Sequence, residues 1–279
     1  MFRRKKFETF PANEIETSGW LKRQLKIQAD GLNGNLDKIW PDVRDSAWIG
    51  GTKEGWERVP YWLDGFIPLA FLLRDENLIA RAKKYVDAIV AQQQSDGWIC
   101  PCSYDKRADY DTWAVLLITK VLCLYYDCTG DEKVLESVIK CLKHFEQHMS
   151  CNTLRNWGAA RGFEGLIAIY RIYDITGEKW LLTLAKKMSV EGFDWRKIFE
   201  RNLLDDCTKG WEMFSHVVNI AMMMKSEALL SLFDENADGE EFADMAFEYL
   251  TKNHGSAIGH FNGDENLPGK LPIQGAELC

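Results

Sequence analysis

The chain has 279 residues, 46% of them hydrophobic and 27% charged, with a formal net charge of −8. Such a balance describes an ordinary globular protein and argues against a nucleic-acid surface, which needs a basic face. The basic start, Arg3 to Lys6, is followed by no apolar run of the kind a secretory leader needs. No segment reaches the roughly 20 uninterrupted apolar residues required to cross a bilayer.

Helical spacing of apolar residues dominates. The pattern predicts helices over 15–32, 60–73, 76–94, 111–126, 133–148, 159–173, 178–188, 214–233 and 240–252. No stretch alternates with period two, so no sheet is expected. YDCTGDEKVL (Tyr126 to Leu135) and YDITGEKWLL (Tyr173 to Leu182) are nearly one phrase: an apolar helix ends at Tyr-Asp, turns through Thr-Gly, and restarts with acids. Glycine there supplies the left-handed position after a helix, and the acids suit the next helix N-terminus. LLRDENLI and LFDENADGEEF read as weaker copies. A repeat of this kind means stacked helical hairpins. Apolar DTWAVLLITKVLCLYY followed by amphipathic VLESVIKCLKHFEQH suggests alternating inner and outer helices. The expected fold is all-α: an incomplete (α/α)6 toroid in one domain spanning 1–279. About ten helices are counted where six hairpins need about twelve. Uncovered helix faces on such a partial ring are expected to favour self-association.

Eight cysteines are scattered at 100, 102, 123, 128, 141, 151, 207 and 279, several inside amphipathic helices. This suits a reducing cytoplasm better than a disulfide framework. The Cys100-Pro-Cys102 step is a weak metal signal.

Chemistry is expected in the connections. The stretch Trp40 to Gly65 is long and rich in Trp and Gly, as functional loops are; the plainer reading is a rim loop whose Trp residues pack. Asp111 and Trp113 stand at the entrance to an inner helix. His216 and Asn219 share one helical face, either a satisfied core pair or a polar pair directed at a ligand. The Gly-rich tail from His254 holds Asp264 and Glu265, a loop-tip pair in which one carboxylate suits general acid/base work if desolvated. Glu277 and Cys279 are two residues apart, so an extended backbone points both to one side, as a shared zinc ion needs.

Taken together, GWLKRQLKIQADGLNG, EGWERVPYWLDG, YYDCTGD, NWGAARGFEGLIAIYRIYDITGEKWLLTLA, SHVVNIAM and the closing HG…HFNGDENLPG…QGAELC resemble glycoside hydrolase family 127, the β-L-arabinofuranosidase family. The likeness covers nearly the whole chain. It implies an (α/α)6 catalytic barrel and retaining removal of terminal sugars by a cysteine nucleophile held on zinc by one Glu and three Cys. By position, Glu265 falls on the acid/base glutamate, Glu277 and Cys279 on the Glu-x-Cys zinc motif, and His216 on a histidine of the sugar pocket. Beside His216, the residues Asn219, Asp111, Trp113, His254 and Asp264 are expected to bind substrate on the reading of the connections above. The downstream cysteine pair that includes the nucleophile has no counterpart in these residues. This chain is therefore expected to be the N-terminal part of the barrel, with half a zinc site and little activity alone. The alternative expectation is a non-catalytic helical toroid that binds carbohydrate or a protein partner.

Overall fold

The computed structural model describes residues 7–201, 211–232, 239–255, 259, 263 and 265–267, with Glu240 described for its backbone alone. Among these the secondary structure is helical, without a strand. Isolated bridges join Ser46 with Lys53 and His216 with Asn266. The helices are α1 (Gly19–Asp30), α2 (Leu36–Ile39), α3 (Pro41–Arg44), α4 (Arg58–Leu73), α5 (Glu76–Ala91), α6 (Trp113–Thr129), α7 (Glu132–Cys151), α8 (Asn156–Ala160), α9 (Gly165–Thr176), α10 (Trp180–Glu191), α11 (Trp195–Glu200), α12 (Val217–Met223), α13 (Ser226–Leu230) and α14 (Gly239–His254). None of them is long and apolar enough to cross a membrane.

The described residues divide into two compact units, one of residues 7–153 and 168–177, the other of 154–167 and the described residues from 178 onward. In the first, α4 and α6 pack together, with α5 against α4 and α7 against α6. α4 and α6 bury most of their residues, including Trp62, Phe66, Trp113 and Leu117. α5 and α7 bury one stripe each, as amphipathic outer helices do. α1 lies against α4 but buries none of its residues, and Trp20 and Ile27 project into solvent.

The glycine and threonine of the repeated turn behave as the phrase predicts, whereas the acidic start holds for α7 and not for α10, which opens at Lys179 without a side-chain cap. Gly130 and Gly177 both take left-handed backbone, with φ of 66° and 68°. Their N–H groups close on the carbonyls of Tyr126 and Tyr173 at 2.7 and 2.8 Å. Thr129 and Thr176 donate their hydroxyls to Tyr125 and Ile172 at 2.8 and 2.9 Å. Asp131 then accepts from Lys133 N at 3.1 Å and caps α7. In LLRDENLI the left-handed position falls on Arg74 (φ 53°), and Asp75 caps α5 through the N–H groups of Asn77 and Leu78. LFDENADGEEF lies largely outside the described residues. A Cβ at Gly130 meets nothing within 4 Å. Gly130→Ala is therefore expected to destabilise through backbone strain alone, by about 1 kcal/mol, read as a lower urea midpoint at unchanged slope.

Three predicted helices differ in the structure. The first begins at Gly19, not Ile15: Gly19 has φ 57°, Ser18 is extended, and Thr17 donates its hydroxyl to the Leu72 carbonyl at 3.2 Å. The predicted 159–173 helix breaks into α8, a 3-10 turn (Gly162–Glu164) and α9. The carbonyls of Ala159 and Ala160 are taken by Phe193 N–H at 3.0 Å and the Trp195 indole N–H at 3.1 Å, which ends α8. The predicted 214–233 helix starts at Val217 and divides at Met224–Lys225 into α12 and α13, leaving His216 as a cap. The long Trp40–Gly65 loop is largely structured, holding α3, a 3-10 turn and the start of α4. Trp48 is buried and donates to the Trp56 carbonyl at 3.1 Å, the rim-packing reading.

Candidate active site

His216 ends a turn and opens α12. Its Nδ1 accepts from Asn219 N at 3.4 Å, so the ring hydrogen sits on Nε2. That Nε2 stands 3.0 Å from Oε2 of Glu265. The pairing is built by backbone. Val217 N donates to the Glu265 carbonyl at 2.8 Å, and Leu267 N to the Ser215 carbonyl at 3.1 Å. The Ser215 hydroxyl donates to Asn266 Oδ1 at 2.8 Å. An antiparallel bridge thus pins the Glu265 loop across the start of α12. Gly263 is required by this crossing, because a Cβ there would come within 1.9 Å of the Asn266 carbonyl oxygen.

Glu265 itself is left-handed, with φ 70°. A non-glycine residue held there costs on the order of 1 kcal/mol, and such strain persists where the surroundings enforce it, often at functional sites. Its side chain is 64% exposed, whereas that of His216 is 5% exposed. A carboxylate presented to solvent on a buried imidazole is poised to meet a ligand.

Aromatic rings wall this pair. Trp157 meets His216 edge-on at 5.0 Å between centroids, and Trp211 does so at 6.1 Å. Trp211 is 45% exposed and offers an apolar face to solvent. The Arg161 guanidinium lies 4.5 Å over the Trp157 ring and donates through Nε to Asn219 Oδ1 at 2.7 Å. The Asn219 amide nitrogen in turn donates to the Met213 carbonyl at 2.8 Å. Asn219 is wholly buried and both ends of its amide are engaged, so its side chain aligns Arg161 rather than offering itself to a sugar, while its backbone N–H is capped by His216. Glu164, fully buried, pairs with Lys225 from the α12–α13 break.

The structure therefore gathers His216, Asn219 and Glu265 into one cluster. It adds Trp157, Arg161, Glu164 and Trp211, which the sequence reading did not single out. Trp157, Arg161 and Glu164 are spaced four and three apart inside NWGAARGFEG, and that helical spacing was the available signal. His254 ends α14, buried, with its ring 6.0 Å from Tyr249.

Asp111 and Trp113 belong to the other unit. Asp111 Oδ1 accepts from Trp113 N at 3.0 Å. The Asp111 carbonyl accepts the Trp56 indole N–H at 3.1 Å, and Tyr110 donates to the Gly55 carbonyl at 3.0 Å. Trp113 is fully buried, with its indole N–H on Glu57 Oε2 at 3.0 Å. It offers no ring face to a sugar; it ties the start of α6 to the start of α4.

Asp264, Glu277 and Cys279 lie outside the described residues. Among the described ones, no three His, Cys, Asp or Glu side chains group to hold a metal. Cys100 is buried, and burial pushes its thiol well above the usual range, which disfavours the thiolate a metal would need.

The model of the β-L-arabinofuranosidase, GH127 catalytic domain, matches residues 14–259, a stretch that ends before Glu265. Among solved structures, the chain is similar to the crystal structure of Ara127N-Se, a GH127 β-L-arabinofuranosidase from Geobacillus stearothermophilus T6. The TM-score is 0.60 at 15% identity, covering 90% of this chain and 47% of that one. At that identity the likeness speaks for the fold: the all-α, helical-toroid class expected from the paired helices. This chain spans about half the length of that structure. No curated protein matches it.

Proposed function

Because this chain belongs to glycoside hydrolase family 127, the β-L-arabinofuranosidase family, we propose that it forms part of a retaining glycosidase acting on terminal arabinofuranosides or related sugars. The observation that supports the reading is the Glu265–His216 pair, held at 3.0 Å on a backbone bridge between aromatic walls.

In this reading Glu265 is the acid/base. The His216 Nε2–H holds one carboxylate oxygen and so orients the carboxyl that would meet a glycosidic oxygen. A sugar seated against Trp211 displaces water from an exposed carboxyl, the condition under which general acid catalysis works near neutral pH. Protonated Glu265 gives its proton to the leaving oxygen as the anomeric bond breaks. The same carboxylate then takes a proton from the water that releases the sugar. Arg161, buried on Trp157 and aligned by Asn219, sets the position of that wall.

The nucleophile of the proposed reaction is a cysteine thiolate outside these 279 residues. The proposed cofactor is zinc, with Glu277 and Cys279 supplying two of its ligands, where it would keep a thiol deprotonated at neutral pH. Those two residues are not described in the structure, and the steps above rest on the chain's own groups. A cytoplasmic setting is part of the same proposal, supported by six free thiols among the described residues.

Hydrolysis of 4-nitrophenyl β-L-arabinofuranoside tests the reading. The 279-residue chain alone is expected to show no turnover and weak, non-stoichiometric zinc uptake. The same chain joined to a downstream segment bearing the cysteine pair is expected to show both activity and tight zinc. Stoichiometric zinc and full turnover by the chain alone would overturn the proposed ligand set. Sugar binding without turnover in the extended protein would favour the non-catalytic toroid.

A further inference from the structure

A cavity of about 340 Å³ opens beside α4, within the 7–153 unit. Arg58, Tyr61, Trp62 and Gly65 form one of its walls, spaced three, one and three residues apart, which is one face of a helix. Asn33 and Trp40, from the segment between α1 and α3, form part of the other. The Trp62 indole N–H donates to the Asn33 carbonyl at 2.8 Å, so the two walls are tied at the cavity floor. Trp40 and Tyr61 are half-buried, each keeping part of its surface open. The Arg58 guanidinium stands 5.7 Å from the Trp40 ring centroid and 3.4 Å from a Glu57 oxygen, so its charge is already balanced.

Gly65 is the informative position. Glycine inside a helix is costly, and alanine there would be the stable choice. A Cβ at 65 would meet only the Asn33 amide, at 3.6 and 3.9 Å, an ordinary contact. Packing therefore does not demand glycine; the bare position keeps the cavity open beside an amide.

We propose that this cavity is a carbohydrate-binding subsite for one neutral furanose or pyranose unit. A sugar presents an apolar C–H face and a rim of hydroxyls. Trp40 and Tyr61 supply apolar ring surface for the first. The Asn33 amide and the Arg58 N–H groups supply donors and an acceptor for the second. The balanced charge at Arg58 selects a neutral sugar over an acidic one. The volume lies at the lower end of small-ligand sites, roughly 300–1,000 Å³, fitting a single unit. The choice of a sugar rests on the glycosidase reading above; the site itself shares no residue with the Glu265 cluster.

Titration of the 279-residue chain with L-arabinose and with D-galactose, followed by saturation-transfer NMR and tryptophan fluorescence, tests this. Saturable binding of at least one of them is expected, with a Kd on the order of 1 mM. Trp40→Ala is expected to weaken it about tenfold, the loss of one stacking face. Gly65→Gln, which fills the cavity from the helix, is expected to abolish it, and Glu265→Gln to leave the Trp40-dependent component unchanged. Absence of saturable binding, or binding indifferent to both Trp40→Ala and Gly65→Gln, would overturn the proposal. Trp40-dependent binding in a protein that hydrolyses no arabinofuranoside, even with its downstream segment, would keep the subsite and remove the hydrolase reading. Hydrolysis without Trp40-dependent binding would do the reverse.

Discussion

Glu265→Gln in the extended, active protein is expected to lower turnover of a β-L-arabinofuranoside by about 10²–10⁴-fold, the usual worth of a positioned acid/base. The amide keeps the size of the carboxyl and can still accept from His216, so the loop should stay in place and helix content by circular dichroism should not change. What is lost is the proton. The effect should therefore be largest for substrates with poor leaving groups and smallest for activated aryl glycosides, whose departure needs little protonation. An exogenous small carboxylate or azide should partly rescue the aryl substrate. A uniform loss across leaving groups would point to a binding role for Glu265 and against acid/base work.

Trp113→Ala is expected to cost about 3–5 kcal/mol of stability, a large share of the 5–15 kcal/mol that typically holds a domain. The ring is fully buried, meets Tyr61 at 5.9 Å between centroids, and donates its indole N–H to Glu57. Removing it leaves a cavity and takes a donor from the Glu57 carboxylate at the start of α4. Trp113→Phe should recover most of the packing but not the donor, and so lose about 1–3 kcal/mol. The order wild type, Phe, Ala in urea midpoint is the check. Near-neutral stability of Trp113→Ala with a large loss of sugar affinity would restore the sugar-platform role for this residue.

The two cases mark how far the sequence was legible. The hairpin phrase identified the helices and their turns, because a glycine at a left-handed position and an acid at the following cap are local requirements of the backbone, and Gly130, Gly177, Asp131 and Asp75 meet them. Breaks were illegible where a distant group decides them. α8 ends because Phe193 and Trp195 take its carbonyls, and nothing near Ala160 foretells this. The site divided in the same way. Glu265 and His216 were nameable through motifs. Trp113 sits in an equally suggestive loop, yet its burial is fixed by α4, and burial is a property of the packed chain. Arg161 went unnoticed because its importance comes from Trp157 beneath it and Asn219 beside it, the latter 58 positions along the chain.

α4 carries Gly65 and Pro68 within one turn. Proline has no N–H, so the Asp64 carbonyl lacks the intrahelical bond that every fully bonded turn has, and the glycine one residue on adds the least backbone stiffness of any side chain. The Gly65 end of the cavity wall is thus where the backbone of α4 is least bonded, while Trp62, Phe66 and Phe71 anchor the helix in the core. A helix softened at one place bends there in preference to anywhere else. Strain put on this helix by whatever fills the cavity would therefore fall first on the Gly65–Pro68 turn, where one carbonyl already goes without its helical partner.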